Sequence, residues 1–301
     1  MNSTAIERLL KRLHDPGQPP LVMGVINLTP DSFSDGGAWY DPTRPGQIDR
    51  ALELARRLAW EGAEILDLGG ESSRPGAAPV DEEEEHRRVL PLLRLLAQED
   101  LAWLSVDTQR AGLAAAALEL GVALINDVSA GRRDPDLWPL VAAAGAPTVL
   151  MHMQGTPETM QAAPAYHDPL AEVAAFLGER AQALQALGLP AARILLDPGI
   201  GFGKGLADNR ALLTGLAELA AQARRGGHAL LLGASRKSFI GMVEEGDGRR
   251  ASPPAHRLGG SLATALWGAR LGARVLRVHD VAETRQALQV WRWLEGGGPW
   301  T

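Results

Sequence analysis

Short apolar runs and longer amphipathic stretches alternate along nearly the whole chain. The runs Leu21–Asn27, Ile65–Gly69, Leu104–Asp107, Ala123–Asp127, Thr148–His152, Ile194–Asp197, Ala229–Gly233 and Val275–His279 are almost continuously apolar. This predicts parallel strands covered on both faces, since a strand with one wet face would alternate. Between them, Ile48–Glu61, Glu82–Ala97, Ala111–Leu120, Pro135–Ala144, Pro169–Leu187, Asn209–Ala223 and Gly260–Leu271 carry apolar residues at helical spacing, and Val281–Leu294 follows the last strand. Gly62, Gly121, Gly188 and Gly272 sit where helices should end. Asp81 with Glu84, and Asp280 with Glu283, have capping-box spacing with Asp in place of Ser or Thr. The acidic run Asp81–Glu85 therefore reads as complementarity to a helix dipole rather than as a metal site. Eight strand–helix units in a row predict an α/β fold, a (β/α)8 TIM barrel forming one domain over residues 1–301 with its core at about 21–294. Thr4–Leu13 is an extra N-terminal helix, placed to cover the bottom of the barrel.

Composition narrows the chemistry. Of 301 residues, 46% are hydrophobic and 22% charged, ample for one large core. The net charge of −6 and pI of about 5.7 provide no basic field for nucleic acid or an anionic membrane, so any bound anion needs a local site. The absence of cysteine removes disulfides, thiol nucleophiles and zinc–thiolate sites together. Met1–His14 mixes Glu7, Arg8, Lys11 and Arg12 with apolar residues, unlike a signal peptide. No run approaches the roughly 20 apolar residues of a membrane span. A cytoplasmic protein is expected.

The informative feature is what ends each strand. Asn27, Asp107, Asn126–Asp127, Met151–His152, Asp197, Ser235–Lys237 and Arg277 with His279 mark seven of the eight C-terminal ends. In a barrel of this kind those ends form the mouth where chemistry is done. Capping explains one or two polar ends, not seven. Arg277 and His279 are two apart and face the same way, and closure brings Asn27 beside them. With the helix start near Asp280 they form a candidate anion site. The competing reading pairs Arg277 with a neighbouring acid and packs His279 structurally. Asp107, Asn126 and Asp197 would present acceptors to adjacent N–H groups of a flat amino-pyrimidine-like heterocycle. A divalent metal is the competing reading for the three, although carboxylates on strands so far apart would need a central ion, and a salt bridge to Arg110 or Arg193 could account for one of them but not for all.

The run Asp197-Pro-Gly-Ile-Gly-Phe-Gly-Lys204 lacks the ending and spacing of a phosphate-binding P-loop. Its glycines instead let backbone approach a flat ligand, with Phe202 as a wall. Two further loops, Asn27–Gly37 and Gly69–Ala77, are polar and glycine-containing and have the make-up of closing loops.

These stretches, with Leu124–Gly131, Met151–Gly155, Gly233–Ser238 and Arg277–Val281, resemble dihydropteroate synthase in order and spacing from about Leu21 to Leu294. The resemblance implies condensation of 6-hydroxymethyl-7,8-dihydropterin diphosphate with para-aminobenzoate to 7,8-dihydropteroate. It implies that Asp107, Asn126, Met151, Asp197, Phe202 and Lys237 hold the pterin, with Asp107, Lys237 and Arg277 the catalytic groups. Asn27, Arg277 and His279 would hold the diphosphate, and Mg2+ would bridge its oxygens to Asn27 and Asp35. Phe33, Ser73, Arg74, Pro75 and Ser238, with Phe202 also reaching in, would shape the para-aminobenzoate pocket. Ser73 replaces the threonine of the family pattern, keeping the hydroxyl and losing a methyl. The family also implies a homodimer through late helices, to which Leu262–Leu271 with Trp267 would contribute unless it packs on the barrel. The rival readings are a methyltetrahydrofolate–corrinoid methyltransferase, which has no use for a diphosphate site, and a non-catalytic pterin-binding paralogue. Arg277-Val-His279 and the first loop argue against the former, and the presence of Lys237, Arg277 and the first loop argues against the latter.

Overall fold

In the computed structural model the apolar runs become eight parallel strands that close on themselves in sequence order, β1 to β8, with β8 paired to β1. The described residues are 3–29, 41–44, 46–72, 76–77, 79–157, 159–160, 162–246 and 248–296. The strands are β1 Leu21–Asn27, β2 Ile65–Gly69, β3 Trp103–Asp107, β4 Leu124–Asp127, β5 Thr148–Met151, β6 Ile194–Asp197, β7 Ala229–Leu232 and β8 Val275–Val278. The helices are α1 Ser3–His14, α2 Gln47–Trp60, α3 Glu82–Leu96, α4 Ala111–Glu119, α5 Leu137–Ala144, α6 Pro169–Ala186, α7 Leu206–Thr214, α8 Leu216–Arg225, α9 Ser238–Gly246, α10 Leu258–Arg270 and α11 Val281–Leu294. Gly62, Gly121, Gly188 and Gly272 all adopt positive φ just beyond a helix end.

Strand parity divides the apolar residues into two cores. Val22, Ile26, Leu66, Leu68, Val106, Ile125, Leu150, Leu196, Leu230 and Leu276 face outward into the helices. Leu21, Met23, Ile65, Leu124, Val149, Leu195, Leu231 and Val275 point inward and fill the lower barrel. Leu9 and Leu13 of α1 join this inner cluster at 0% exposure, and Trp103 Nε1 donates to Ala5 O at 3.1 Å. Each buried leucine contributes about 1.5–3 kcal/mol. The N-terminal helix therefore plugs the end opposite the chemistry.

Three expectations are corrected. The stretch Asn209–Ala223 is two helices broken at Gly215, where a Cβ would lie 2.6 Å from Leu170 of α6. The short α9 was not anticipated. Asp81 does cap α3, accepting from Glu84 N at 2.8 Å, but Asp280 makes no side-chain cap and instead pairs with Arg236.

Candidate active site

Above the inner apolar layer the same parity brings polar side chains to the barrel axis. Asp67 of β2, two residues below Gly69, is fully buried. It accepts from Ser105 Oγ at 2.6 Å, Asn126 Nδ2 at 3.0 Å and Arg277 Nε at 2.7 Å. Arg277 Nη2 donates to Asp107 Oδ2 at 2.9 Å, so one guanidinium is shared by two carboxylates. Asp107, Asn126 and Arg277 thus meet in one network, and Asp67, which the strand-end reasoning missed, is its hub. Register places Asp107 opposite Asn126 and Met151 opposite Asp197.

Burial pushes the Asp107 carboxyl up to about 7; Arg277 opposes this, while the charges of Asp67 and Glu85 add to it. Burial also raises Asp197, offset by the Gly199 N–H on its Oδ1 at 2.7 Å and by Lys237 and Arg277. Asp107 accepts from Arg277 and Asp197 from Gly199 N, and each carboxyl group has further acceptor capacity that a ligand's N–H edge could use. Beside them, Val128, Met151, Met153, Met160 and Phe202 form a separate apolar group at the mouth, a face for a flat ring. Lys237 Nζ lies 3.7 Å from the centroid of the Phe202 ring, a cation–π contact. Ser238 is exposed at the start of α9.

On the opposite lip, Asn27, His279, Arg236 and Asp280 line a cavity of about 650 Å³ that extends between α2 and α11. His279 Nδ1 lies 3.1 Å from Ser235 Oγ. Burial, followed by the nearby charges of Arg277, Arg236 and Lys237, drives its pKa down to about 3, so the ring is neutral near pH 7. A second cavity, about 320 Å³, opens at Asp107 between the loops after β2, β3, β4 and β5.

Other polar strand ends serve the scaffold. Asp127 faces away from Asn126 and accepts from Ser129 N and Oγ, Gly131 N and Trp138 Nε1. His152 turns to Lys204, with Nδ1 2.9 Å from Nζ. Arg110 binds Glu71 and Glu85, and Arg193 binds Gly145 O, so neither supplies the salt bridges considered for Asp107 and Asp197. The pairing of Arg277 with acids, the competing reading of that residue, does occur. Trp267 is 42% exposed, and its Nε1 donates to Leu213 O at 2.7 Å, tying α10 to α7. Phe33, Asp35, Ser73, Arg74 and Pro75 lie outside the described residues. Among the described residues no group of three or more His, Asp or Glu side chains could hold a metal by itself, and no helix is long and apolar enough to cross a membrane.

The family model for pterin binding enzymes matches residues 23–279. The dihydropteroate synthase of Escherichia coli (strain K12) is 44% identical over 271 residues, 90% of each chain. The crystal structure of Yersinia pestis dihydropteroate synthase with a sulfonamide drug complex superposes with a TM-score of 0.83 at 41% identity, covering 94% of this chain and 96% of that one. The Xanthomonas albilineans dihydropteroate synthase solved with 4-aminobenzoic acid gives a TM-score of 0.81 at 45% identity, covering 93% and 94%. Matched over nearly its full length by sequence and by fold, the chain belongs to the pterin-binding enzymes, within the dihydropteroate synthases.

Proposed function

We infer that this chain joins 6-hydroxymethyl-7,8-dihydropterin diphosphate to para-aminobenzoate, giving 7,8-dihydropteroate and diphosphate. The observation that carries this reading is the shared guanidinium of Arg277, bonded at once to Asp67 and Asp107 on the floor of the mouth. In this reading Asp107, Asn126 and Asp197 accept the amino-pyrimidine edge of the pterin. Met151 lies under the ring, and Phe202 with Lys237 bounds its other side. Asn27, Arg277 and His279 receive the diphosphate, and Ser238, with Phe33, Ser73, Arg74 and Pro75, shapes the arylamine pocket.

Breaking the C–O bond to the diphosphate builds negative charge on the leaving oxygens. Arg277 and the imidazole of His279 donate N–H groups to that charge. The pterin methylene becomes electron-poor, and the arylamine nitrogen attacks it; its proton passes to solvent or to a leaving oxygen. No side chain forms a bond to substrate. A magnesium ion suits the Asn27 lip, because this metal prefers one or two protein oxygens plus substrate phosphates to a full protein cage. Asn27 and Asp35 would hold it, and when bound it would neutralise charge on the leaving diphosphate. A cytoplasmic homodimer through the late helices completes the proposal; light scattering that returned a monomer mass at micromolar concentration would refute the dimer.

The test is diphosphate release from the pterin diphosphate with and without para-aminobenzoate. Release that depends on the arylamine and matches product formation is expected. Release at the same rate without it would reject the synthase reading.

A further inference from the structure

The loop after β6 ends in a lysine that the chemistry above does not use. Lys204 is 1% exposed. Its ammonium reaches His152 Nδ1 at 2.9 Å, Phe202 O at 3.0 Å and His152 O at 3.2 Å. Three N–H donors meet three acceptors, and all three acceptors are neutral. Burial drives the His152 pKa down to about 3, so its Nδ1 keeps a lone pair for Lys204. Burying a cation against neutral groups is costly, and burial lowers the lysine pKa to about 7; Asp197 and Asp208 oppose this, Lys237 and Arg132 add to it. A methionine of similar length would fill the same space without that cost. The charge at this position therefore needs a reason other than stability.

The acceptors supply one. His152 N donates to Asp197 O at 3.0 Å, so the residue held by Lys204 also holds Asp197. Phe202, held through its carbonyl, places its ring against the Lys237 ammonium. Gly199 packs so closely on this assembly that a Cβ there would collide with His152 O. From outside, Asn209 accepts from Gly201 N at 2.8 Å and donates to Lys204 O at 3.2 Å, and Tyr166 OH donates to Gly203 O at 2.7 Å. The loop is thus clamped on its outer side by neutral groups and on its inner side by one ammonium.

We propose that Lys204 is a positioning residue for the synthase reaction, its ammonium fixing the Phe202 ring against Lys237. It touches no substrate and acts through Phe202. The inference rests on the synthase reading, so both pterin affinity and turnover are measured.

The experiment is a double-mutant cycle of Lys204→Met, Phe202→Leu and the double variant. Calorimetric pterin affinity and kcat/KM with both substrates are read together with melting curves. Misplacing a positioned group by about 1 Å costs up to about a hundredfold, so Lys204→Met should lose roughly ten- to a hundredfold in kcat/KM while still melting cooperatively. The double variant should be no worse than the poorer single one, because the lysine works through the ring. Wild-type values in Lys204→Met, or single effects that multiply in the double variant, would overturn the proposal. If the wild type bound pterin but made no product, the synthase reading would fail, and the cycle in pterin affinity would still decide the role of Lys204. If Lys204→Met does not fold, Lys204→Gln, which keeps two N–H donors, takes its place. Should that also fail, histidine 15N shifts of the wild type decide. An unprotonated Nδ1 on His152 at pH 5 supports the clamp, and titration at the ordinary 6.5 removes it.

Discussion

Asp67 offers the sharpest perturbation, because three donors converge on one fully buried carboxylate. Asp67→Ala would strand a guanidinium N–H, an amide N–H and a hydroxyl inside the barrel. Breaking a buried ion pair costs about 3–5 kcal/mol; Arg277 keeps Asp107, which argues for the lower end, about 3 kcal/mol. Over 301 residues, with an unfolding entropy of about 2.1 cal/mol/K per residue, that is a fall in Tm of about 5 °C. Asp67→Asn is milder. Its amide oxygen can face Asn126 and Arg277 and its N–H can face Ser105 Oγ, so only charge is lost, about 1 kcal/mol. The functional signature differs in kind. The Asp67 charge helps raise the pKa of Asp107, so Asp67→Asn should lower it and move the acid limb of pterin binding to lower pH. Scanning calorimetry gives the first quantity, and pterin titrations between pH 5 and 8 give the second. Asp67→Ala with wild-type Tm and pterin affinity, or an Asp67→Asn limb displaced upward, would refute the hub.

Three further outcomes follow from the same geometry. The folded pKa of His279 is about 3 against an ordinary 6.5, so between those values the unfolded chain holds one more proton and stability falls as pH falls. Denaturant melts of wild type and His279→Gln should therefore diverge by about 2 kcal/mol between pH 6.5 and 5, the wild type losing more; parallel curves would contradict a neutral buried ring. Gly199→Ala meets both a positive φ of 65° and a collision with His152 O, so pterin affinity should drop at least tenfold in calorimetry; an unchanged Kd would show that the loop yields freely. Leu13→Ala, at the plugged end, should cost about 2–5 kcal/mol in denaturant melts and leave both KM values alone; an altered pterin KM would mean that the two ends of the barrel are coupled.

Much of this architecture was legible because each level agreed with the next. Strand limits match the apolar runs to within a residue, since buried parallel strands leave no polar face to blur their ends. Asn209–Ala223 failed because its helical periodicity continues across Gly215, a residue with φ −84° and ψ 6° that ends one helix and begins the next. Ser238–Gly246 is too short a helix to announce itself by period. Asp67 and Ser105 escaped for a different reason. Neither marks a strand end; each lies two residues below one and shares its inward face, as Asp67 does with Gly69 and Ser105 with Asp107. Parity carried the signal. Asp127 and His152 show the converse, since a polar residue at a strand end still turns outward or sideways when parity or a buried partner demands it.

The central claim is that one mouth holds the pterin and its diphosphate together, and the most direct test is a crystal structure with the pterin diphosphate and magnesium bound. The account predicts the amino-pyrimidine edge within about 3.2 Å of Asp107, Asn126 and Asp197, with the diphosphate reaching toward Arg277, His279 and Asn27. A pterin seated in the cavity between α2 and α11, with those acids still bonded only to protein, would contradict it.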